Sequence, residues 1–182
     1  YNKKQTVEDI TYCIKELHKR GIRIHGMFVF GSDLDTVDTI HETLRFARKN
    51  DLESVQFLIL TPLPGTKCYK DLDGEGRLIS KDWSLYDAHH VVYQPKLMSY
   101  YELQSETLKA MQGFYTIPQI LKRIVRLDVF NVIVKTYGMR LSRRWEKKNW
   151  YFIEYTKALT EAGKTIELRA KKTAEDVKEK FH

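Results

Sequence analysis

Cysteine is scarce in this chain, with Cys13 and Cys68 the two thiols among 182 residues. Two cysteines cannot build a disulfide framework, and their separation rules out a metal knuckle. No metal ligand is therefore assigned, and a reducing, cytoplasmic setting is expected. Long apolar runs are also missing. None approaches the ~18 residues that a membrane-spanning helix requires. Proline occurs four times, and two of the four crowd into one loop, at Pro62 and Pro64. The chain opens on Tyr1 and shows no signal-peptide pattern, so it reads as a piece of a longer protein. No internal repeat is present.

Hydrophobic residues make up 42% of the chain, enough for a real core. Its net charge of +7 is unevenly placed. Residues 1–95 hold 13 Lys/Arg against 14 Asp/Glu, whereas residues 96–182 hold 18 against 10. The basic character thus belongs to the second part. A boundary is expected near Pro95, with an α/β unit over 1–95 and a basic helical extension over 96–182.

The organising stretch is residues 21–66. Val7, Ile10, Ile14 and Leu17 place one apolar face on a helix over 6–20, with Cys13 beside it as a buried residue. Gly21 ends that helix. A strand over 22–30 follows, rich enough in Val, Ile and Phe to be buried on both sides. Asp35-Thr36 supplies the cap of a helix reaching Asn50, and a second strand covers 55–60. Short connections in this order predict parallel strands joined by crossovers. Beyond them the pattern gives a short helix over 67–72, a third strand-like run over 88–93, and a capping box at Ser99 and Glu102. Further helices are expected from Pro118 to a stop at Gly138, and from Leu141 to a cap at Gly163. Ile120, Ile124, Val125, Val132 and Ile133 read as buried. Residues 164–182 read as a frayed or disordered tail.

Two loops leave the carboxyl ends of the strands, the edge where parallel α/β proteins bind ligands. Asp33 and Asp35 in the first would repel a phosphate, so this loop suits hydroxyls or a positive charge. Asp35 reads chiefly as a helix cap. The second loop, Thr61-Pro-Leu-Pro-Gly-Thr66, is stiffened by its prolines and presents few amides. It either holds a flat base or merely starts the next helix.

The run Gly21-Ile-Arg-Ile-His-Gly-Met-Phe-Val-Phe-Gly-Ser-Asp-Leu-Asp-Thr36, followed by Gln56-Phe-Leu-Ile-Leu-Thr-Pro-Leu-Pro-Gly-Thr66, resembles the carboxyl-terminal half of a radical S-adenosylmethionine (SAM) barrel. It is most similar to the class B group, which often carries a cobalamin-binding domain and includes anaerobic magnesium-protoporphyrin monomethyl ester cyclases and hopanoid-modifying enzymes. Asn2-Lys3, Leu17-His18, Glu75-Gly-Arg-Leu-Ile79, Asp82-Trp83 and Lys96-x-Met-Ser99 extend the likeness to about residue 120.

The resemblance implies the carboxyl-terminal part of a partial (β/α)6 TIM-like barrel, followed by a mostly helical extension. It also implies a SAM-bound [4Fe-4S] cluster that generates a 5′-deoxyadenosyl radical for hydrogen abstraction, with cobalamin left open. By position, Gly26, Phe28, Val29, Phe30 and Gly31 would line the SAM adenosine with Leu60, Thr61, Pro62 and Leu63, and Asp33 would stand beside them. The cluster's Cys-x-x-x-Cys-x-x-Cys is absent, so its ligands would lie outside this chain and the piece alone would be inactive. The usual Gly-x-Ile-x-Gly-x-x-Glu of the fifth strand reads Met27, Val29, Gly31 and Leu34 here.

Bland readings stand beside these. His89 and His90 adjoin on a strand-like run and would face opposite ways, as packing or surface residues. His25 and Met27 read as core filling. Tyr69, Trp83 and Tyr86 read as packing residues, or as the border of a flat substrate. Residues 140–152 hold five cations and four aromatics. They read first as a helix with inward aromatics and solvated cations, then as a contact for a membrane or lipid-like substrate. No RNA-binding motif is present and no nucleic acid is expected. A second class of function remains, a non-catalytic basic module binding a membrane surface, a partner or RNA. The remainder of the parent chain is the first expected partner. An open strand edge should make the isolated piece self-associate.

Overall fold

The computed structural model describes the backbone of residues 5–180 and the side chains of residues 5–165. Its elements are α1 (Val7–Lys19), β1 (His25–Phe30), α2 (Val37–Lys49), β2 (Ser54–Ile59), α3 (Lys67–Gly74), a 3₁₀ turn (Trp83–Leu85), α4 (Tyr100–Phe114), α5 (Ile117–Val125) and α6 (Val129–Lys180). The Asn2-Lys3 match lies outside the described residues. The tail read as frayed is helical through Lys180, and residues 181 and 182 lie outside the described residues.

Local chemistry fixes the helix starts. Thr6 and Asp9 form a capping box on α1, and Ser99 and Glu102 form another on α4. On α2 the cap is Thr36. Asp35 turns the other way, into the loop.

The strands pair in parallel, with His25 opposite Ser54 and Phe30 opposite Ile59. The protein is α/β with mostly helices, and the described residues form this two-stranded sheet rather than a barrel. Side chains alternate between its faces. Val55, Phe57 and Ile59 are buried on the covered face, where Phe57 packs 5.5 Å from both Phe28 and Phe30. One core joins these residues to Ile40 and Ala47 of α2, Leu103, Ala110 and Phe114 of α4, and Phe152 of α6. The opposite face of β1 is open, with Met27 63% and Val29 56% exposed. The expectation of a strand buried on both sides, with His25 and Met27 filling a core, is corrected: the helices gather on one face only.

Among the described residues the outer edge of β2 has no third strand. Tyr115 takes part of its place. Its hydroxyl donates to the Val55 carbonyl at 2.7 Å and accepts the Val55 N–H at 2.9 Å. Further along, the Ile59 N–H donates to the Ala88 carbonyl at 2.8 Å. The run over 88–93 is not a strand. Asp87 accepts the amides of His89 and His90 and bends the backbone there. Val91, Val92 and Tyr93 are nonetheless buried.

Gly138 does not stop a helix but lies inside α6, where a Cβ would come within 2.6 Å of the Tyr115 ring. Gly163 also lies inside α6, so neither glycine ends a helix. The helix instead kinks at Asn149, whose backbone leaves helical geometry. Four expectations of burial also fail. Cys13 is exposed, and Ile124, Val125 and Ile133 face outward while Ile120 is buried.

The joint between α5 and α6 is polar inside. Arg123 is buried and donates to Asp51 at 2.6 Å and to Asp128 at 3.3 Å. Lys135 is buried with its amine 3.9 Å from the centre of the Phe114 ring. Burial lowers its pKa to about 8, Arg123 adds to the effect, and Asp51 and Glu53 oppose it.

Tyr115→Phe leaves both Val55 backbone groups without their partner and is expected to cost about 1–3 kcal/mol in urea unfolding. An unchanged midpoint would show that the hydroxyl does not hold the edge. The folded pKa of Lys135 lies below its unfolded value, so the buried charge destabilises the fold below pH 8 and is relieved as pH rises through about 10. Lys135→Met should therefore raise the urea midpoint at neutral pH, with the gain shrinking toward pH ~10.5. A less stable variant at neutral pH would contradict this.

Candidate functional site

The candidate site is the carboxyl edge of the sheet and the open face below it. The last rung between the strands is the Leu60 N–H donating to the Phe30 carbonyl at 2.8 Å. That bond puts the backbone groups of Phe30 on the β2 side. By alternation, the N–H and C=O of His25, Met27 and Val29 point to the other edge of β1, which pairs with nothing among the described residues.

After Phe30 the chain turns at Gly31, with φ +102°. The Tyr93 hydroxyl donates to the Gly31 carbonyl, and any Cβ at Gly31 would collide with Tyr93 and Leu103. Glycine is required here by both the backbone angle and the close approach. The amides of Gly31 and Ser32 both donate to Asp35 Oδ2 at 2.9 Å. Asp35 thus occupies the amides that an anion would otherwise use.

Asp33 reaches across the edge. It accepts from Arg77 at 2.7 Å and from Lys96 at 2.8 Å. The Arg77 hydrogen bond, then that of Lys96, holds its carboxyl below the usual carboxylate range. Its positive partners therefore come from within the chain. Arg77 also donates to Glu75 at 2.9 Å and to the Gln94 carbonyl at 2.8 Å, which pins the 75–77 turn beside the loop. Cys68 sits close by, and burial, then Asp71 and Asp33, push its thiol pKa up. It is a poor nucleophile in this setting.

The second loop is tied to α3. Thr66 caps that helix by accepting the Tyr69 N–H at 3.2 Å and donates to the Leu63 carbonyl at 2.6 Å. Pro62 is buried, whereas Leu63 is exposed. The residues singled out from sequence therefore divide. Gly26, Phe28 and Phe30 side with the helix-covered face. Val29 sits on the open face, Gly31 and Asp33 on the first loop, and Leu60 to Leu63 on the second. The open face is apolar toward the loops, at Met27 and Val29. It is polar toward the strand starts, where His25 Nδ1 lies 2.8 Å from Ser54 Oγ.

A cavity of about 310 Å³ lies at the other end of β2, between that strand, α4 and α6. His25, Gln56, Leu108, Met111, Tyr137 and Trp145 help to line it, and so does Thr107, whose buried hydroxyl has no hydrogen-bond partner.

His89 and His90 do not face opposite ways, because the backbone turns there. Both rings approach Trp145, at 6.2 and 5.1 Å between centroids. His90 is buried and bridges Asp87 at 3.0 Å and Asn149 at 3.3 Å, so it braces the kink of α6. Tyr69, Trp83 and Tyr86 form a cluster, with centroids 6.3 and 5.2 Å apart. Among the described residues no three His, Cys, Asp or Glu side chains converge where a metal could bind, so these residues do not fit an iron–sulfur cluster. No helix among them is long and apolar enough to cross a membrane.

Sequence reasoning missed Arg77 and Lys96 as the partners of Asp33, and Tyr93 and Tyr115 as backbone props. Only their occurrence in matched or aromatic-rich runs marked them, since their partners lie far away in sequence.

No family model matches the chain. It is 34% identical over 130 residues to bacteriochlorophyllide d C-8(2)-methyltransferase of Chlorobaculum tepidum, a match covering 68% of this chain and 28% of that protein. It is 32% identical over 123 residues to bacteriochlorophyllide d C-12(1)-methyltransferase of the same organism, covering 68% of this chain and 26% of the relative. Anaerobic magnesium-protoporphyrin IX monomethyl ester cyclase of Cereibacter sphaeroides is 26% identical over 115 residues, covering 63% and 18%. The chain thus spans about a quarter of the length of the methyltransferases it matches. The relatives are enzymes, and the likeness to the cyclase agrees with the resemblance drawn from sequence. Together they support a radical SAM-related enzyme.

Asp35→Ala frees the Gly31 and Ser32 amides. Hydrogen exchange at both is expected to quicken, with a loss of roughly 1–3 kcal/mol in stability. Unchanged exchange would show that Asp35 does not hold the loop.

Proposed function

We propose that this chain is the carboxyl-terminal part of a radical SAM barrel, in an enzyme that acts on a large, flat substrate of the tetrapyrrole kind. The observation that carries this reading is the one-sided sheet. Two parallel strands have helices on one face, and an apolar, uncovered face on the other ends in two loops. In a closed barrel that face would point inward and its carboxyl edge would bound the ligand site. The likeness to bacteriochlorophyllide methyltransferases and a protoporphyrin ester cyclase supports the substrate class and the use of SAM.

In this reading the cluster is held by a segment outside residues 1–182, and it supplies the radical chemistry when bound. The residues of this chain bind and orient. Val29 and Met27 offer an apolar surface to the adenosine, and Gly31 lets the backbone turn closely beneath it. Asp33, fixed by Arg77 and Lys96, sets the rim. Leu60 and the stiff loop to Leu63 close the other side. Methyl transfer is the reaction favoured by the more similar relatives.

The test uses the full-length protein, purified without oxygen and reconstituted with iron and sulfide. A reduced cluster signal in electron paramagnetic resonance that changes on SAM addition is expected, and properly folded protein without a cluster would overturn the reading. Val29→Asp, on an exposed position, should lower 5′-deoxyadenosine formation at least tenfold by placing a charge against the adenosine. Full activity in Val29→Asp would move the SAM site away from β1.

A further inference from the structure

We infer that the outward face of α5 and α6 docks the protein onto an anionic phospholipid bilayer. At ~100° per residue, Val129, Ile133, Arg140, Arg144 and Lys147 fall within about 30° of one line along α6, and Tyr137, which also lines the cavity, borders that line. All six are exposed. The opposite side of the same helix carries Asn131, Lys135, Ser142 and Asn149, all buried. The usual amphipathic order is thus reversed over the first turns, with polar groups inside and Val, Ile and Tyr outside.

The apex of the α5–α6 hairpin is also apolar and exposed. Ile117, Leu121 and Ile124 of α5 are exposed, and at the turn Val125 and Leu127 are 83% and 87% exposed. Such a patch on a solvent face marks a contact surface. Its charge selects the occupant. Residues 129–154 contain six Lys/Arg, of which Lys135 is buried, against exposed Glu154 and one further carboxylate, Glu146. That carboxylate is turned to α4, accepting from Gln112 at 2.8 Å. At the surface Lys122 and Arg126 approach Asp51 at 4.0 and 3.3 Å, a carboxylate that already holds buried Arg123. Arg23 adds another cation, stacked 3.9 Å from the Phe130 ring centre.

Past the kink, Trp150, Tyr151 and Tyr155 are exposed. Indole and phenol rings favour the headgroup region, where an apolar body and a polar tip are both accommodated. Apolar residues at the apex, cations along the helix and aromatics at its far part make up the chemistry of an interfacial helix. RNA would account for the cations and leave the exposed Ile, Val and Leu unexplained. A second copy would bring two basic faces together.

Flotation of the full-length protein with phosphatidylcholine vesicles tests this, with and without about 30% phosphatidylglycerol. Binding to the anionic vesicles is expected, more than tenfold weaker to phosphatidylcholine alone and weakened by about 0.5 M salt. The triple variant Arg140→Gln, Arg144→Gln, Lys147→Gln, at exposed positions and checked for unchanged circular dichroism, should lose more than tenfold. Val129→Ser with Ile133→Ser should also weaken binding. Three results would each overturn the inference: no binding of the folded full-length protein to anionic vesicles, equal binding by the triple variant, or binding to poly-uridine with none to vesicles. The first would place the rest of the parent chain or a second copy on this face.

Discussion

A parallel sheet is normally covered on both faces, and among the described residues this one is covered on a single face. α2 and α4 cover one face, and Tyr115, with two hydrogen bonds to Val55, and Ala88, with one to Ile59, close part of the β2 edge. The remaining face and the β1 edge present apolar side chains and backbone groups that nothing else among the described residues meets. The rest of the structure follows from this one-sidedness. The core lies on the covered side, and the carboxyl edge of the sheet opens toward the uncovered side.

The second constraint is how α6 reaches the sheet. Gly138 allows the helix to cross the Tyr115 ring closely, and that closeness keeps the hydroxyl at Val55. The kink at Asn149, braced by buried His90, then brings Phe152 back to the core. The cost is a buried amine at Lys135, offset in part by the Phe114 ring and by Asp51 at the α5–α6 joint. With polar groups occupying the inner side, the apolar and basic residues of α6 remain on the outer one. The same helix therefore serves as a prop for the strands and as an outward surface.

Much of this was legible in the sequence, for identifiable reasons. The apolar spacing of α1, α2 and α4, the Ser99–Glu102 box and the two Val/Ile/Phe strands depend on neighbours close in sequence, and their positions agree with the structure to within a few residues. Val91-Val92-Tyr93 misled because buried β-branched residues look the same in a strand and in a buried turn. Asp87, which makes the turn, is an ordinary surface residue by composition. Gly138 looked like a stop because the reason for it, the Tyr115 ring, is a tertiary contact. At the site, the loops were found because strand ends are local features. The pairing of Asp33 with Arg77 and Lys96 was hidden by sequence distance, and Asp35 could not be told from a cap when Thr36 stood next to it. The open face of β1 differs from expectation because a run of Val, Ile and Phe reads as a strand buried on both sides whether or not a second layer covers it.

The central claim is that the open face and edge of β1 are completed by other segments of the parent protein to form a barrel around the ligand site. Amide hydrogen exchange at Met27 and Val29 in the full-length protein tests it most directly, because those amides point to the edge that is free here. The account predicts slow exchange, comparable with that of the β1–β2 rungs. Exchange at the rate of open, unpaired amides would contradict it and leave the two strands as a scaffold for the basic helices.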